Sequence, residues 1–253
     1  MQTKQNDMSP GDAQAALAWL IEMGADEIVG EAPVNRFAAV VAPPVVAEPV
    51  VSKAKPAVAA PSSADACNTL GELQAALLAL EDFPLKKTAS NLFFADGNPQ
   101  AEVMIIGDVP GRDEDIEGKV FAGQNLVLLE KMLGAIGLSV AATSSFNFIP
   151  WRPPGNRTLT DAEIQMCQPY ILRAIELCRP KFILCLGGHP AQRLSGKSDG
   201  LLSLRGKWFD LAIEGKKIPV LASFHPSYLL KQPGQKRLAW RDLLTFKEAL
   251  DDH

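Results

Sequence analysis

Four short apolar runs without polar alternation constrain the fold of this chain more than any other feature of its sequence. The runs are residues 103–106, 146–149, 182–186 and 220–222. Helical patterns lie between and after them, at about residues 126–136, 161–178, 190–194 and 238–250. Strands that are apolar on both faces, and that alternate with helices, are typical of a parallel sheet covered on both sides. The sequence therefore predicts one α/β domain.

Polar residues or glycines stand at the end of each predicted strand. They are Asp108, Asn147, the pair 187–188 and His225. In parallel sheets, ligands bind beyond the carboxyl ends of the strands. The predicted functional site therefore lies at this edge of the sheet.

The first quarter of the chain differs in composition from the rest. Residues 1–30 contain a helical pattern with one apolar face, and residues 31–66 are rich in Ala, Pro and Val with little periodicity. We interpret them as an N-terminal helical segment and a flexible linker, which leaves residues 67–253 as the globular domain. A short isolated helix cannot bury its apolar face, so we expect the N-terminal helix to dock on a protein partner or to be marginally stable.

Charge and hydropathy indicate in which environment the protein is expected to function. The net charge is −4 over 253 residues, which argues against a surface coated in positive charge but not against a local basic strip. No apolar run reaches the roughly 18 residues that span a bilayer. The first eight residues are polar, unlike a secretion signal. We therefore expect a cytoplasmic protein without a membrane partner.

Residues 107–111 read GDVPG and follow the first apolar run. Such a turn brings main-chain N–H groups and one side chain to the edge of the sheet, although a purely structural turn has the same pattern. Phe121 is either one wall of a flat pocket or a core residue. Asn147 presents a donor and an acceptor side by side, which matches the imide edge of a pyrimidine, or it satisfies a nearby loop.

Residues 225–237 read HPSYLLKQPGQKR and are predicted to form a loop beside the cleft. Apolar tips framed by cations are what a protein needs to enter a base stack while it holds the nucleic-acid backbone. Between residues 201 and 241 the chain has eight Lys or Arg and two Asp or Glu. Arg152 and Arg157, on a proline-rich loop, suit phosphates or belong to a solvated turn. This charge asymmetry favours a nucleic-acid partner.

Taken together, these segments resemble the uracil-DNA glycosylase superfamily, specifically its family 4 type and bacterial relatives. The matching segments, in order, are 86–89, 94–99, 107–115, 121–123, 152–157, 186–188, 205–206 and 225–237. The resemblance implies a three-layer α/β/α fold with a central four-stranded parallel sheet, and a catalytic domain over residues 67–253. It also implies hydrolysis of the N-glycosidic bond of uracil in DNA, which leaves an abasic site.

The resemblance assigns roles to the residues that match family positions. Asp108 would position or activate the attacking water, and His225 would donate to the uracil oxygen as negative charge develops. Phe121 would stack on the extruded base, and Asn147 would read its Watson–Crick edge. The remaining expected contacts are Val109 and Gly111 with the base, and Arg152, Arg157, Ser227, Leu229, Leu230, Lys231, Lys236 and Arg237 with DNA.

The first motif departs from the family pattern, which leaves alternatives open. The family motif reads Gly-Glu-Ala-Pro-Gly, so Asp108 is shorter by one methylene group and Val109 is larger than the usual alanine. A displacement of about 1 Å can lower a rate by about a hundredfold. The alternatives to a uracil-DNA glycosylase are a catalytically weakened or inactive DNA-binding relative, and a glycosylase for another deaminated base such as hypoxanthine.

Many family members hold a 4Fe–4S cluster on four cysteines. Phe83 and Lys86 occupy the first two of these positions and Trp151 the third, and only Cys167 matches. One thiolate cannot hold a cluster, and the chain has no Cys-x-x-Cys pair, so we expect no cofactor and no metal. We also expect a monomer that acts on single- or double-stranded DNA, and a capping or surface role for His189.

Overall fold

The computed structural model describes residues 63–252 except 82, 88, 90 and 93. The helix and most of the linker expected in the first quarter of the chain lie outside the described residues. The described part contains six strands, which are β1 (Ala95–Gly97), β2 (Val103–Gly107), β3 (Ser144–Asn147), β4 (Phe182–Leu186), β5 (Trp208–Ile213) and β6 (Lys216–Ser223).

All six strands belong to one sheet, in the order β1-β3-β2-β4-β6-β5. The four inner strands run parallel, because β2 pairs with β3 and β4, and β4 pairs with β6. The two edge strands are antiparallel to their neighbours. The predicted α/β class is therefore confirmed, and the predicted parallel strands form the centre of a larger, mixed sheet.

The two edge strands were not predicted from the sequence because neither is a continuous apolar run. All three residues of β1 are exposed. Buried residues alternate with less buried ones in the second half of β5, as is common in an antiparallel strand with one covered face. The predicted four-stranded sheet is thus corrected to six strands.

Helices cover both faces of the sheet. They are α1 (Leu70–Ala79), α2 (Arg112–Glu117), α3 (Gly123–Gly134), α4 (Asp161–Cys178), α5 (Gly188–Ser195), α6 (Leu201–Leu204), α7 (Pro226–Lys231) and α8 (Lys236–Asp251). Short 3-10 turns occur at Val140–Ala142, Pro154–Asn156 and Pro233–Gln235. No helix in the described part of the chain is long and apolar enough to cross a membrane.

Two hydrophobic cores lie on opposite faces of the sheet, since alternate residues of each strand point to opposite sides. On β2, Met104 and Ile106 enter the core that contains residues of α1, α4 and α5. Their neighbours Val103 and Ile105 enter the core that contains residues of α3, α7 and α8. Helix, sheet and helix therefore form three layers.

Local capping explains where two of these helices begin. The Thr69 hydroxyl accepts a hydrogen bond from the Glu72 N–H at the start of α1. At the start of α4, Thr160 and Glu163 form a capping box, in which each side chain accepts from the main-chain N–H of the other residue. The packed domain begins earlier than residue 67, because Ala64 is fully buried in the first core.

Candidate active site

A cavity of about 510 Å³ opens at the carboxyl ends of β2, β4 and β6. This is the edge of the sheet that the sequence indicated. Four of the predicted site residues lie on its wall, namely Asp108, Val109, His225 and Ser227. The remaining lining residues are Gly187, Gly188, Gly200, Leu201, Leu202, Phe224 and Tyr228.

Asp108 directly follows the carboxyl end of β2, and both of its carboxylate oxygens accept hydrogen bonds. The main-chain N–H of Gly188 donates to Oδ2 at 2.9 Å. Nδ1 of His189 lies 2.6 Å from Oδ1. The capping or surface role expected for His189 did not include this contact, in which its ring is a direct partner of the predicted catalytic carboxylate. The sequence signal that could have located it is its position directly after the glycine pair at the end of β4.

The backbone of Gly187 permits this contact. Gly187 has a φ of +131°, which side-chain-bearing residues rarely adopt, and a Cβ there would overlap the Asp108 carboxylate. The carboxylate consequently rests against the first turn of α5, where main-chain N–H groups favour negative charge. The hydrogen bond to Asp108 raises the pKa of His189 above its ordinary value, against an opposing effect of burial.

His225 follows β6 and faces the same cavity. Its Nδ1 accepts a hydrogen bond from the main-chain N–H of Ser227 at 3.2 Å, and the Ser227 hydroxyl lies 2.8 Å from the same nitrogen. Burial lowers the pKa of His225, although the charges of Asp108 and Glu114 oppose this effect. The ring is therefore neutral near pH 7, and its proton is on Nε2, where it can be donated to a substrate oxygen.

Phe121 and Asn147 lie beside the cavity and not on its wall. The Phe121 ring stacks on the His225 ring, with their centroids 5.6 Å apart. The Asn147 amide donates to the carbonyl of Val120 at 3.2 Å. A Cβ at Gly107 would lie 2.6 Å from the Asn147 Oδ1 and 3.1 Å from the Phe121 ring, so a larger residue there would displace one of these side chains. These residues form a compact group behind His225.

Glu114 was not singled out from the sequence, yet it connects two of the predicted motifs. Its carboxylate is buried and accepts from the N–H of Gly111 at 2.9 Å and of Ala122 at 3.2 Å. The side chain of Asn125 donates to it at 2.9 Å. The Gly111 N–H, expected to face the base, is therefore engaged by Glu114. Glu114 differs from its acidic neighbours Asp113 and Asp115 by being buried. Burial cannot be read from the sequence, so the role of Glu114 was not predictable.

Segment 225–237 is helical and not the predicted loop, since it contains α7, a 3-10 turn and the start of α8. The DNA contact predicted for Leu229 is wrong, because this side chain is 1 % exposed and belongs to the second core. Leu230 is 38 % exposed, and Tyr228, which is 39 % exposed, lines the cavity and stacks on the Phe224 ring with centroids 5.0 Å apart. We call these two residues the α7 tip.

The predicted DNA-binding cations fall into two groups. Lys231, Lys236 and Arg237 are exposed, and none has an ion-pair partner within the described part of the chain. Arg152 donates to Asn156 at 3.0 Å and lies 3.7 Å from the Asp115 carboxylate. The first group is therefore available to phosphates, whereas Arg152 is already engaged.

Arg157 is engaged by an internal carboxylate. Its guanidinium donates to both oxygens of Glu163, at 2.6 and 3.0 Å. These hydrogen bonds lower the pKa of Glu163 to about 2. Arg157 therefore holds the loop after Trp151 to the start of α4, in place of the phosphate contact that the sequence suggested.

The cluster of positive charge between residues 201 and 241 is also divided by the fold. Arg205 is partly buried and forms an ion pair with the buried Asp242. The Lys217 ammonium lies 3.4 Å from the Asp210 carboxylate at the opposite end of β6. Lys216 lies beside Lys217 at the start of β6, whereas the candidate site lies at the carboxyl end of this strand. Only part of the basic excess counted in the sequence therefore faces the candidate site.

The residues at the four positions where the resemblance implies cluster ligands do not fit a 4Fe–4S cluster. The Phe83 and Trp151 rings pack against each other with centroids 4.9 Å apart. Lys86 donates to the carbonyls of Leu78 and Leu80. Burial raises the pKa of the remaining Cys167 thiol, which opposes the thiolate that iron requires. Aromatic packing and a helix cap occupy the ligand positions.

Comparison with known proteins agrees with this geometry. Residues 94–244 match the family described as the uracil DNA glycosylase superfamily. The chain is 34 % identical over 169 residues to the type-4 uracil-DNA glycosylase of Archaeoglobus fulgidus, a match that covers 65 % of this chain and 85 % of the relative. It is 37 % identical over 171 residues to the Saccharolobus solfataricus protein of the same name, covering 66 % and 79 %. The chain therefore belongs to the uracil DNA glycosylase superfamily.

Proposed function

We propose that this protein hydrolyses the N-glycosidic bond of uracil in DNA and leaves an abasic site. The observation that carries the proposal is that Asp108 and His225 both line one cavity at the carboxyl edge of the sheet. A carboxylate and a neutral donor are the two groups that this reaction needs. Relatives that bear the name type-4 uracil-DNA glycosylase support the same conclusion.

The proposed step is attack of water on C1′ of the deoxyribose. The bond between C1′ and N1 breaks, and its electron pair leaves with the uracil ring. Asp108 stabilises the positive charge that develops on the sugar and accepts the proton of the water. The Nε2–H of His225 stabilises the negative charge on the uracil oxygen, and uracil then takes a proton from solvent.

The proposed base contacts of Phe121 and Asn147 require a small rearrangement. Because Phe121 stacks on His225 in the free protein, a base that stacks on Phe121 must separate the two rings. The Asn147 amide must likewise exchange its bond to Val120 for the uracil edge. Catalytic hydrogen bonds often form only in the substrate complex, so this arrangement is compatible with the proposal.

DNA is the proposed partner, held by Lys231, Lys236 and Arg237 beside the α7 tip. The apolar tip would enter the space that the flipped nucleotide leaves, while the cations hold phosphates on either side. We further propose that the protein uses no iron–sulfur cluster, because aromatic rings fill the ligand positions. A cytoplasmic location, a monomeric state and a partner for the N-terminal helix stay predictions.

The direct test is excision from an oligonucleotide that contains one uracil, followed by alkaline cleavage of the abasic product. We expect product from the parent protein under single-turnover conditions. Asp108→Asn should lower the rate by about 10²- to 10³-fold, the usual loss when one charge-stabilising group is removed from an active site. The matched control is Asp210→Asn, at an exposed position on the edge strand β5.

The second candidate is a DNA-binding relative without catalysis, favoured by the departure of Asp108 and Val109 from the family motif. Folded protein that binds the oligonucleotide in a salt-dependent manner, yet leaves uracil in place at high enzyme excess, would establish this second function and exclude the first. The same oligonucleotide with hypoxanthine in place of uracil separates a change of base preference from a loss of activity.

A further inference from the structure

The ring of His189 is the nearest titratable partner of Asp108 outside the cavity wall. Its Nδ1 lies 2.6 Å from the carboxylate, and the two side chains are 31 % and 20 % exposed. The pair therefore joins the end of β2 to the start of α5 across 81 residues of sequence. Both groups are shielded enough for a strong interaction, and both remain within reach of water.

We propose that His189 is a positioning residue for base excision, which holds the Asp108 carboxylate at the cavity wall and sets its effective charge through its own protonation. This inference rests on the proposed function, since it acts through the role given there to Asp108. His189 does not itself line the cavity. It is therefore not assigned contact with the substrate.

The length of the Asp108 side chain gives the physical reason for such a partner. Aspartate is one methylene group shorter than glutamate, so its carboxylate lies closer to the strand end. The Gly188 N–H and His189 Nδ1 fix both oxygens in that position. A carboxylate fixed at two points has less freedom to rotate away from an attacking water, and small losses of alignment lower rates strongly.

Protonation of His189 should change the charge that Asp108 presents. When the ring is protonated, its positive charge offsets the carboxylate and weakens the attraction to a cationic sugar. When the ring is neutral, the Nδ1–H can still donate to Asp108 and the carboxylate keeps its full charge. The excision rate should therefore rise with pH as His189 loses its proton.

The other charged groups around the pair modify this titration. The hydrogen bond to Asp108 raises the pKa of His189, whereas burial and the positive charge of Arg193 on α5 lower it, with a net increase above 6.5. On the Asp108 side stand His225 after β6 and Cys185 on β4. Burial raises the pKa of the Cys185 thiol and lowers that of His225, so both are neutral near pH 7.

The first experiment is independent of activity. The chain has three histidines, so the His189 ring can be assigned by NMR through His189→Asn and its pKa followed against pH. We expect a midpoint above the ordinary value of about 6.5, and a lower midpoint in Asp108→Asn, which removes the negative charge. An equal midpoint in the parent and in Asp108→Asn contradicts the pairing.

The second experiment measures single-turnover excision against pH for the parent, His189→Ala and His189→Asn. The alanine variant loses the donor, and we expect a rate about tenfold lower. The asparagine amide lies near the Nδ1 position, so it should restore most of the rate while abolishing the rise with pH. The control is Gln192→Ala on the same helix, whose amide contacts the Asp199 carbonyl instead. Thermal unfolding confirms that each variant is folded.

The outcomes separate the two proposals. An active parent whose rate and pH profile are unchanged in both His189 variants overturns the role of His189 and leaves the proposed function intact. A folded parent that binds DNA without excising uracil overturns the proposed function, and the positioning role with it. A lower rate in His189→Ala that His189→Asn does not restore, with an unchanged pH profile in both, assigns His189 a purely structural role and also overturns the inference.

Discussion

At the scale of single residues, the tautomer of His225 decides what the candidate site can do. Two donors from Ser227 point at its Nδ1, one from the main chain and one from the hydroxyl. This leaves the proton on Nε2. Because burial holds the pKa of the ring below its ordinary value, the donor stays neutral and does not depend on protonation near pH 7.

Substitutions of His225 and Ser227 should therefore lower the excision rate by different amounts. His225→Ala removes the donor to the base, and we expect the single-turnover rate to fall by about 10²- to 10³-fold. Ser227→Ala removes one of two interactions with Nδ1 and keeps the main-chain N–H, so we expect a loss below about tenfold. Rates measured on one uracil oligonucleotide, with substrate affinity measured separately, check both values.

Equal losses in the two variants would mean that the Ser227 hydroxyl contacts DNA directly, in addition to orienting the ring. A normal rate in His225→Ala would remove His225 from the proposed mechanism.

Glu114 is another residue whose role depends on tertiary contacts, because its carboxylate accepts hydrogen bonds from the N–H groups of Gly111 and Ala122. It fixes the shape of the turn next to Asp108.

At the scale of secondary structure elements, α7 presents two successive leucines to opposite environments. Leu229 packs in the core against α3 and α8, and Leu230 points outward beside Tyr228. The helix is anchored beside this tip, since Leu229 is buried in the second core and the Tyr228 ring stacks on the Phe224 ring. An anchored helix holds an apolar tip in one place, as entry into a base stack requires.

The two leucines allow a matched test. Leu230→Ala should leave stability within about 0.5 kcal/mol of the parent. It should lower excision from a duplex about fivefold, which corresponds to about 1 kcal/mol, with a smaller effect on single-stranded DNA because no base pair must open. Leu229→Ala should instead cost about 2–5 kcal/mol of unfolding free energy.

Denaturant unfolding and excision assays on both DNA forms measure these quantities. If Leu230→Ala slows both substrates equally, the tip does not help to open the duplex. If Leu229→Ala weakens duplex excision without loss of stability, the buried position of this side chain changes in the DNA complex.

At the scale of the whole molecule, the core on the α4 side is held together by aromatic packing. Phe83 and Trp151 are buried and pack together at two of the positions where the resemblance implies cluster ligands. Buried aromatic side chains contribute strongly to stability through the area that they remove from water. This region therefore connects the segment before β1, the loop after β3 and α4 by hydrophobic packing.

Substitution of the buried Trp151 should destabilise the protein more than substitution of the exposed Trp240. Trp151→Ala should lower the unfolding free energy by about 3–5 kcal/mol, because the side chain is 2 % exposed and leaves a cavity. Trp240→Ala, at a position 43 % exposed on α8, is the matched control and should cost less. Denaturant unfolding measures both values, with the iron content of each preparation determined in parallel. Equal costs would contradict a structural role for the aromatic pair.

Much of this architecture was predictable from the sequence because it depends on local patterns. The four inner strands were found as apolar runs, and α4 was predicted with its observed bounds from its helical pattern. The edge strands could not be found in the same way. β1 has three exposed residues, and its place in the sheet depends on pairing with β3, which follows about 50 residues later.

The sequence by itself determined the α/β class, the parallel centre of the sheet and the edge at which Asp108 and His225 meet. These follow from hydrophobic periodicity and strand direction, which are properties of neighbouring residues. Only the tertiary structure decided that His189 holds Asp108, that Glu163 holds Arg157, and that Leu229 is buried while Leu230 is exposed. Such partners are selected by packing between segments brought together by folding, where a buried polar group must find a partner and only one face of a helix can enter the core.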